Sequence, residues 1–303
     1  MTRLATRNGR GGDWERPWVI DSHRGAFEGG LLENSVPAFL EAVREGANVV
    51  ETDVRRAGDG QLVLVHNRTI DHVAKFATSV PDEEEFGERP AGLLRAHTAE
   101  FLRALEFPRG ARVLTFPEFL DFLNKYRVGA QVELKETGFE NLLATQFAEA
   151  ELDYSDLAGP VVVTSFNPLA VWRFRKAALR LEDGGKLPTF KQRGPVPGRE
   201  TPGVAWGLQA VRVSPGPWGK LVLRLCRKYG AWGFMTHHKY LPVESLPLAH
   251  AWGVRFCPRV PSDPVLVDRY VAAGVDGFET DDVPFVRERI EAAGYELPPP
   301  PRV

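Results

Sequence analysis

Cysteine is nearly missing from this chain. Its 303 positions hold two, Cys226 and Cys257. Their spacing fits neither a metal clip nor a redox pair, so no disulfide framework is expected. Long apolar runs are missing as well. No stretch reaches the roughly 20 residues that cross a bilayer as a helix. The opening MTRLATRNGRGGDWERPW lacks the apolar core of a secretory signal, so a cytoplasmic location is expected. Neither sign of charge prevails: 38 Lys and Arg face 40 Asp and Glu, a net charge of −2. That balance argues against a globally basic nucleic-acid binder, and no nucleic-acid partner is expected. Internal repeats and domain linkers are not evident.

What is present is a chain long enough to bury a sizeable core. Trp18-Val19-Ile20 is the first strand signal. Ser35 and Pro37 open a helix, Val36, Phe39, Leu40 and Val43 give it one apolar stripe, and Gly46 ends it. Strands are expected over 49–54, 61–65, 130–134, 161–163, 254–256 and 275–278. Helices are expected over 117–126, 140–149, 168–181, 221–229, 243–252 and 264–273. Residues 77–112, with the acidic run Asp82 to Glu85, have weak periodicity and read as an inserted lobe. The Gly- and Pro-rich stretch 183–219 reads as an irregular excursion. Strands alternating with helices imply an α/β fold with a parallel sheet. About eight strand candidates favour a closed (β/α)8 barrel, here with a small insertion after the third strand. The expected organisation is a flexible arm, residues 1–16, and a single barrel domain, residues 17–303.

The chemistry begins at Val-Val-Glu-Thr-Asp-Val. Residues two apart on a strand share a face, so Glu51 and Asp53 point the same way. Two acids in an apolar strand covered on both sides are costly unless paired or bound to a cation, and Mg2+ and Ca2+ favour such oxygens. Asp59-Gly60 then signals a hairpin. A two-residue loop would set Asp53 opposite His66, and a loop one residue longer would set Thr52 there. Either way His66 comes beside the acid pair. His23, Arg24 and Gly25 end the first strand, where barrels place their chemistry. His23 is a candidate acid–base group, and Arg24 can clamp a phosphate. Glu133 and Lys135 share a face of a later strand. They suit either a third metal ligand beside a phosphate-binding ammonium or a structural ion pair. Acids alone would suit sugar chemistry, but two His with Arg and Lys shift the reading to a phosphodiester.

With these residues in view, the sequence resembles the glycerophosphodiester phosphodiesterases. The likeness runs through His23-Arg24-Gly25, Glu33-Asn34-Ser35, Ala38-Phe39, Gly46-Ala47, Glu51-Thr52-Asp53-Val54, Asp59-Gly60 and His66. It continues at Glu133-Leu134-Lys135, Ser165-Phe166, Gly274-Val275-Asp276-Gly277 and Thr280-Asp281. The resemblance implies a (β/α)8 barrel and hydrolysis of glycerophosphodiesters to glycerol 3-phosphate and an alcohol. It implies His23 and His66 as the general acid–base pair, and Glu51, Asp53 and Glu133 as ligands of one divalent metal, Mg2+ or Ca2+. Arg24 and Lys135 would hold the phosphate, with Glu33 supporting. Two departures stand out. Asn67 follows His66 where the family usually carries Asp, and Arg259-Val260-Pro261-Ser262 stands where a pocket-lining Trp-Thr-Val-Asn is usual.

One segment points to the substrate. In 218–229, Lys220, Arg224, Arg227 and Lys228 fall on one helical face beside Leu221, Val222 and Leu225, with Trp206, Trp218 and Trp232 nearby in sequence. A basic amphipathic helix with tryptophans suits peripheral contact with anionic lipid; the plainer reading is an outer barrel helix with a solvated face. Lipid contact would extend the substrates from small glycerophosphodiesters to lysophospholipids, cleaved or cyclised on the same barrel. A noncatalytic phospholipid-binding relative is the third reading.

Overall fold

The computed structural model describes residues 18–27, 30–75, 77–78, 91–189, 191–192, 200–201, 203–209 and 216–300. The proposed arm at 1–16 and the acidic run Asp82 to Glu85 lie outside the described residues.

Eight parallel strands form the wall. In chain order the strands are β1 (Val19–Ser22), β2 (Val49–Arg56), β3 (Leu62–Leu64), β4 (Gly129–Leu134), β5 (Val161–Thr164), β6 (Lys191–Gln192), β7 (Glu200–Thr201), β8 (Val204–Trp206), β9 (Gly233–His237), β10 (Arg255–Arg259) and β11 (Gly277–Thr280). The wall runs β8-β5-β4-β2-β1-β11-β10-β9. Leu208 closes the ring by bridging to Phe234, its N–H donating to Gly233 at 3.1 Å while Met235 donates back at 3.3 Å. The expected barrel is therefore present. Its membership differs from the sequence count in two places. Strand β3 is antiparallel to β2 and stands outside the wall. Strands β8 and β9 supply the missing members. Hence 183–219 is not simply irregular: it holds a wall strand and the small β6–β7 hairpin.

The first helix, α1 (Val36–Glu45), begins after Ser35 and stops at Gly46, whose φ of 100° is the left-handed cap that glycine adopts without penalty. Ser35 does not cap through its side chain; its hydroxyl donates to the Leu32 carbonyl at 2.6 Å. The 243–252 segment is a 3-10 turn, Val243–Ser245, followed by the short helix Leu246–Ala251. The insertion after β3 has its own apolar cluster, including Val63, Ile70, Leu94, Leu102 and Phe107. It packs outside the wall beside the hairpin.

Alternation along the strands decides what faces the axis. Val19, Val49, Val162, Ala205, Met235 and Cys257 belong to one buried apolar cluster. Larger side chains such as Phe39, Phe119, Phe147, Phe174, Phe234 and Phe278 pack on the outer side, under the helices. Cys226 and Cys257 are both buried and free, as their spacing implied. No helix among the described residues is long and apolar enough to cross a membrane.

Candidate active site

The carboxylates converge. Glu51 and Asp53 project from β2, and Glu133 projects from β4, where Asp53 and Glu133 are register partners. All three are buried, and one oxygen from each lies within 4.8 Å of the others. Burial raises the Glu51 carboxyl well above the usual range, and the charges of Asp53, Glu279 and Glu133 add to this. Glu133 is likewise raised by burial, against the pull of Lys135. Burial also acts on Asp53, but Lys135, Arg24 and His66 outweigh it and hold that carboxyl low. Such crowded, dehydrated oxygens fit a hard divalent cation.

Two cations already lean on this cluster. Lys135 Nζ lies 2.9 Å from Asp53 Oδ1 and 2.7 Å from Glu133 Oε1. The structural ion pair allowed by the sequence therefore exists, and it is part of the carboxylate cluster. Arg24 Nε lies 3.0 Å from Asp53 Oδ2, and its Nη1 lies 3.1 Å from Glu33. The Arg24 backbone N–H also donates to Glu51 at 3.0 Å. This threefold hold requires an unusual backbone: Arg24 has φ 59° and Asn34 has φ 57°. A non-glycine residue held in that region stores strain, which is typical of functional turns. Gly25 follows for a steric reason. A Cβ there would lie 2.7 Å from the carbonyl carbon of Ala38 in α1.

Both histidines flank the cluster on opposite supports. His23 is buried, and its Nδ1 lies 2.7 Å from Asp281 Oδ1, just past β11. Burial would raise Asp281, but the His23 hydrogen bond and charge, with Arg259, bring it down to about 2. An ionised Asp281 fixes the His23 tautomer and leaves Nε2 for proton exchange. His66 follows β3, its Nδ1 2.8 Å from Asn67 Oδ1. The Asn67 departure thus keeps the hydrogen bond and drops the charge. Burial lowers the His66 imidazolium; Asp53 opposes this, and Arg24 and Lys135 add to it. The hairpin has the longer of the two loops considered. Ala57 pairs with Gln61, and Val65 donates to the Asp53 carbonyl at 3.0 Å, so extending the register sets Thr52 opposite His66.

Several residues at the site received no role from the sequence. Asn34 donates to Asp53 at 3.1 Å and accepts from Thr52 at 2.8 Å, locking the acid from below. Gln209, just past β8, donates to Glu133 at 3.2 Å. Asp281 sits 258 positions from its partner His23, beyond any local spacing rule, although its place at a strand end was a signal. Arg259, the second departure, donates to Asp281 at 3.0 Å.

The fold and site define a class: a parallel (β/α)8 barrel whose strand ends gather three acids, two histidines and two cations, a set suited to phosphate esters. Comparison makes the class specific. The model of the glycerophosphoryl diester phosphodiesterase family matches residues 23–284, and the chain belongs to that family. It is 32% identical over 193 residues to a probable glycerophosphodiester phosphodiesterase 1 of Mycobacterium tuberculosis, a match covering 57% of this chain and 66% of the relative. A phosphodiesterase of Oleispira antarctica, solved in complex with its product sn-glycerol-3-phosphate, superposes with a TM-score of 0.65 at 19% identity, over 91% of this chain and 97% of that one. A glycerophosphodiester phosphodiesterase of Agrobacterium tumefaciens superposes with a TM-score of 0.64 at 19% identity, over 89% and 99% of the two chains. At these identities the superpositions speak to the fold.

Proposed function

We propose that the protein hydrolyses glycerophosphodiesters to glycerol 3-phosphate and an alcohol, with His23 and His66 as the general acid–base pair. The observation that carries this reading is the convergence of Glu51, Asp53 and Glu133 within 4.8 Å, buried, beside Arg24 and Lys135, in a chain of this family. Glu51, Asp53 and Glu133 would hold one divalent cation, Mg2+ or Ca2+, which when bound neutralises nonbridging phosphate oxygens. Arg24 and Lys135, each fixed by carboxylates, offer their remaining N–H donors to the phosphate, and Glu33 holds Arg24 in place. One histidine takes a proton from the attacking hydroxyl, and the other returns one to the departing alkoxide. Phosphorus NMR with glycerophosphocholine, in the presence of Mg2+, Ca2+ or chelator, tests the reaction. Its products also separate direct hydrolysis from attack by a neighbouring substrate hydroxyl through a cyclic phosphate. The expected outcome is metal-dependent turnover, reduced about 10²–10⁴-fold in His23→Ala and His66→Ala. Undiminished turnover in both variants would sink the mechanism. Absence of turnover would favour the noncatalytic, phospholipid-binding reading.

A second reading, a lysophospholipid substrate reached by peripheral membrane contact from the cytoplasm, has a surface observation in its favour. On the helix Pro217–Tyr229, Trp218 is 64% exposed, and Leu221 and Leu225 are exposed beside Lys220, Arg224 and Lys228. Phe166, Leu169 and Trp172, at the start of the helix that follows β5, are exposed as well. Exposed aromatics among basic residues suit an anionic bilayer surface. Co-sedimentation with phosphatidylglycerol vesicles at low salt should retain the protein and lose Trp218→Ala/Trp172→Ala. Equal recovery of both proteins, bound or unbound, rejects this surface.

A further inference from the structure

Beyond Lys135, on the side away from β1, lies a cavity of about 550 Å³. Its chemistry is one-sided. Arg55, Arg56, Arg68, Arg95 and Lys135 line it, against one acid, Glu136. Glu136 is already engaged: Arg95 Nη2 lies 3.2 Å away and Arg55 Nη1 3.8 Å, and the Arg56 backbone N–H donates to it at 3.1 Å. Lys135 is committed to Asp53 and Glu133. Among the described residues, no carboxylate lies within ion-pair distance of the Arg56 or Arg68 guanidinium groups. The wall is firm at Arg55 and open at its rim, where Arg56 is half-buried and Arg68 and Arg95 are exposed. Arg55 is 7% exposed, and its Nε donates to the His66 carbonyl at 2.8 Å. Four guanidinium groups around one carboxylate leave net positive charge that an anion would neutralise.

From this surplus of guanidinium groups, next to the carboxylate cluster and sharing Lys135 with it, we infer a subsite for a second phosphate group carried by the substrate. The inference rests on the functional reading above and extends it. The scissile phosphodiester occupies the Arg24 and Lys135 side, and a phosphate monoester on the alcohol half reaches Arg56 and Arg68. Planar guanidiniums bind such oxygens bidentately, which gives selectivity as well as affinity. The preferred glycerophosphodiester therefore has a phosphorylated, polyanionic alcohol.

The test compares glycerophosphoglycerol with its terminally phosphorylated form, at fixed ionic strength, for the wild type and Arg56→Gln/Arg68→Gln. The expected result is a preference for the phosphorylated form of roughly ten-fold or more in kcat/KM, carried mainly by KM. The double variant should lose it while turning over glycerophosphoglycerol as before. Arg95→Gln, on the inserted lobe, should lose part of it. Equal use of both substrates by the wild type overturns the inference, as does a preference that survives the double variant. A free anion is a separate source of the same chemistry. Arginine-dependent inhibition by inorganic phosphate without substrate preference would mean a site for free phosphate and also overturns the inference. If neither diester is turned over, the functional reading fails alone. Calorimetric titration of the phosphorylated diester into wild type and double variant then decides the subsite: binding weakened about ten-fold in the variant supports it, and equal or absent binding overturns it.

Discussion

The two ends of the barrel interior are built from the same strands and behave as opposites. At one end Val19, Val49, Val162, Ala205, Met235 and Cys257 belong to a buried apolar cluster. Two residues further along, roughly 6–7 Å by strand geometry, the same faces carry Asp21, Glu51 and Thr164, and then His23 and Asp53 at the chemical end. The lower end is held by packing that excludes water. The upper end gathers like charges that packing alone would reject. The difference teaches how a barrel separates its tasks: a closed floor supplies the stability that lets the rim hold crowded carboxylates and strained turns such as Arg24.

Substitutions can break this division, and the largest effect should fall at the rim. His23→Ala and His66→Ala are expected to cost about 10²–10⁴ in turnover with little change in melting temperature. The floor should respond in the opposite way. Met235 is fully buried, and Met235→Ala should cost about 2–5 kcal/mol of stability, for the lost burial and the cavity left behind. Its kcat at a temperature where it stays folded should be near that of the wild type. Denaturant unfolding and steady-state kinetics on the same preparations check both halves. A floor variant that lost turnover while folded, or a histidine variant that lost several kcal/mol, would break the division.

Much of the rim was legible because it depends on short spacings. Glu51 and Asp53 share a face by strand period, and Asp59-Gly60 brings His66 back to them whichever loop length applies. The same period places Arg55 on that face, yet its role emerges only with the neighbouring Arg68 and Arg95 in space. Asp281 was harder. It completes the His23 contact only because β1 and β11 are adjacent when the barrel closes, and closure is not a local property. The wall was read in six of its eight strands. Val204–Trp206 has three residues in a Gly- and Pro-rich stretch, and Gly233–His237 carries Gly, Thr and His among its five. Val-Ala-Trp is apolar but lies among Gly and Pro that signal irregular chain, and the second strand has only Phe234-Met235 between polar or glycine positions. Leu62–Leu64 had the right composition but pairs as a hairpin, a choice set by the turn and not by the strand.

Asp21 stands at the boundary between the two ends and gives the subtlest test. It is fully buried beside its register partner Glu279, and neither carboxyl oxygen has a hydrogen-bond partner among the described residues. Burial raises its carboxyl well above the usual range, and the charge of Glu279 raises it further. For an acid raised in the folded state, the native protein binds the extra proton. Stability therefore falls as pH climbs from the ordinary carboxylate value of 3.8 towards the raised one. Asp21→Val extends the apolar floor by one layer and removes that slope. The expected gain is about 1–3 kcal/mol near neutral pH, shrinking as pH falls to the ordinary value of 3.8 and below, where Asp21 becomes protonated in both states. Thermal unfolding of both proteins across that range decides the matter. A variant less stable than the wild type at pH 7 would place Asp21 with the rim, as a group whose charge the barrel uses, and would move the boundary one layer down.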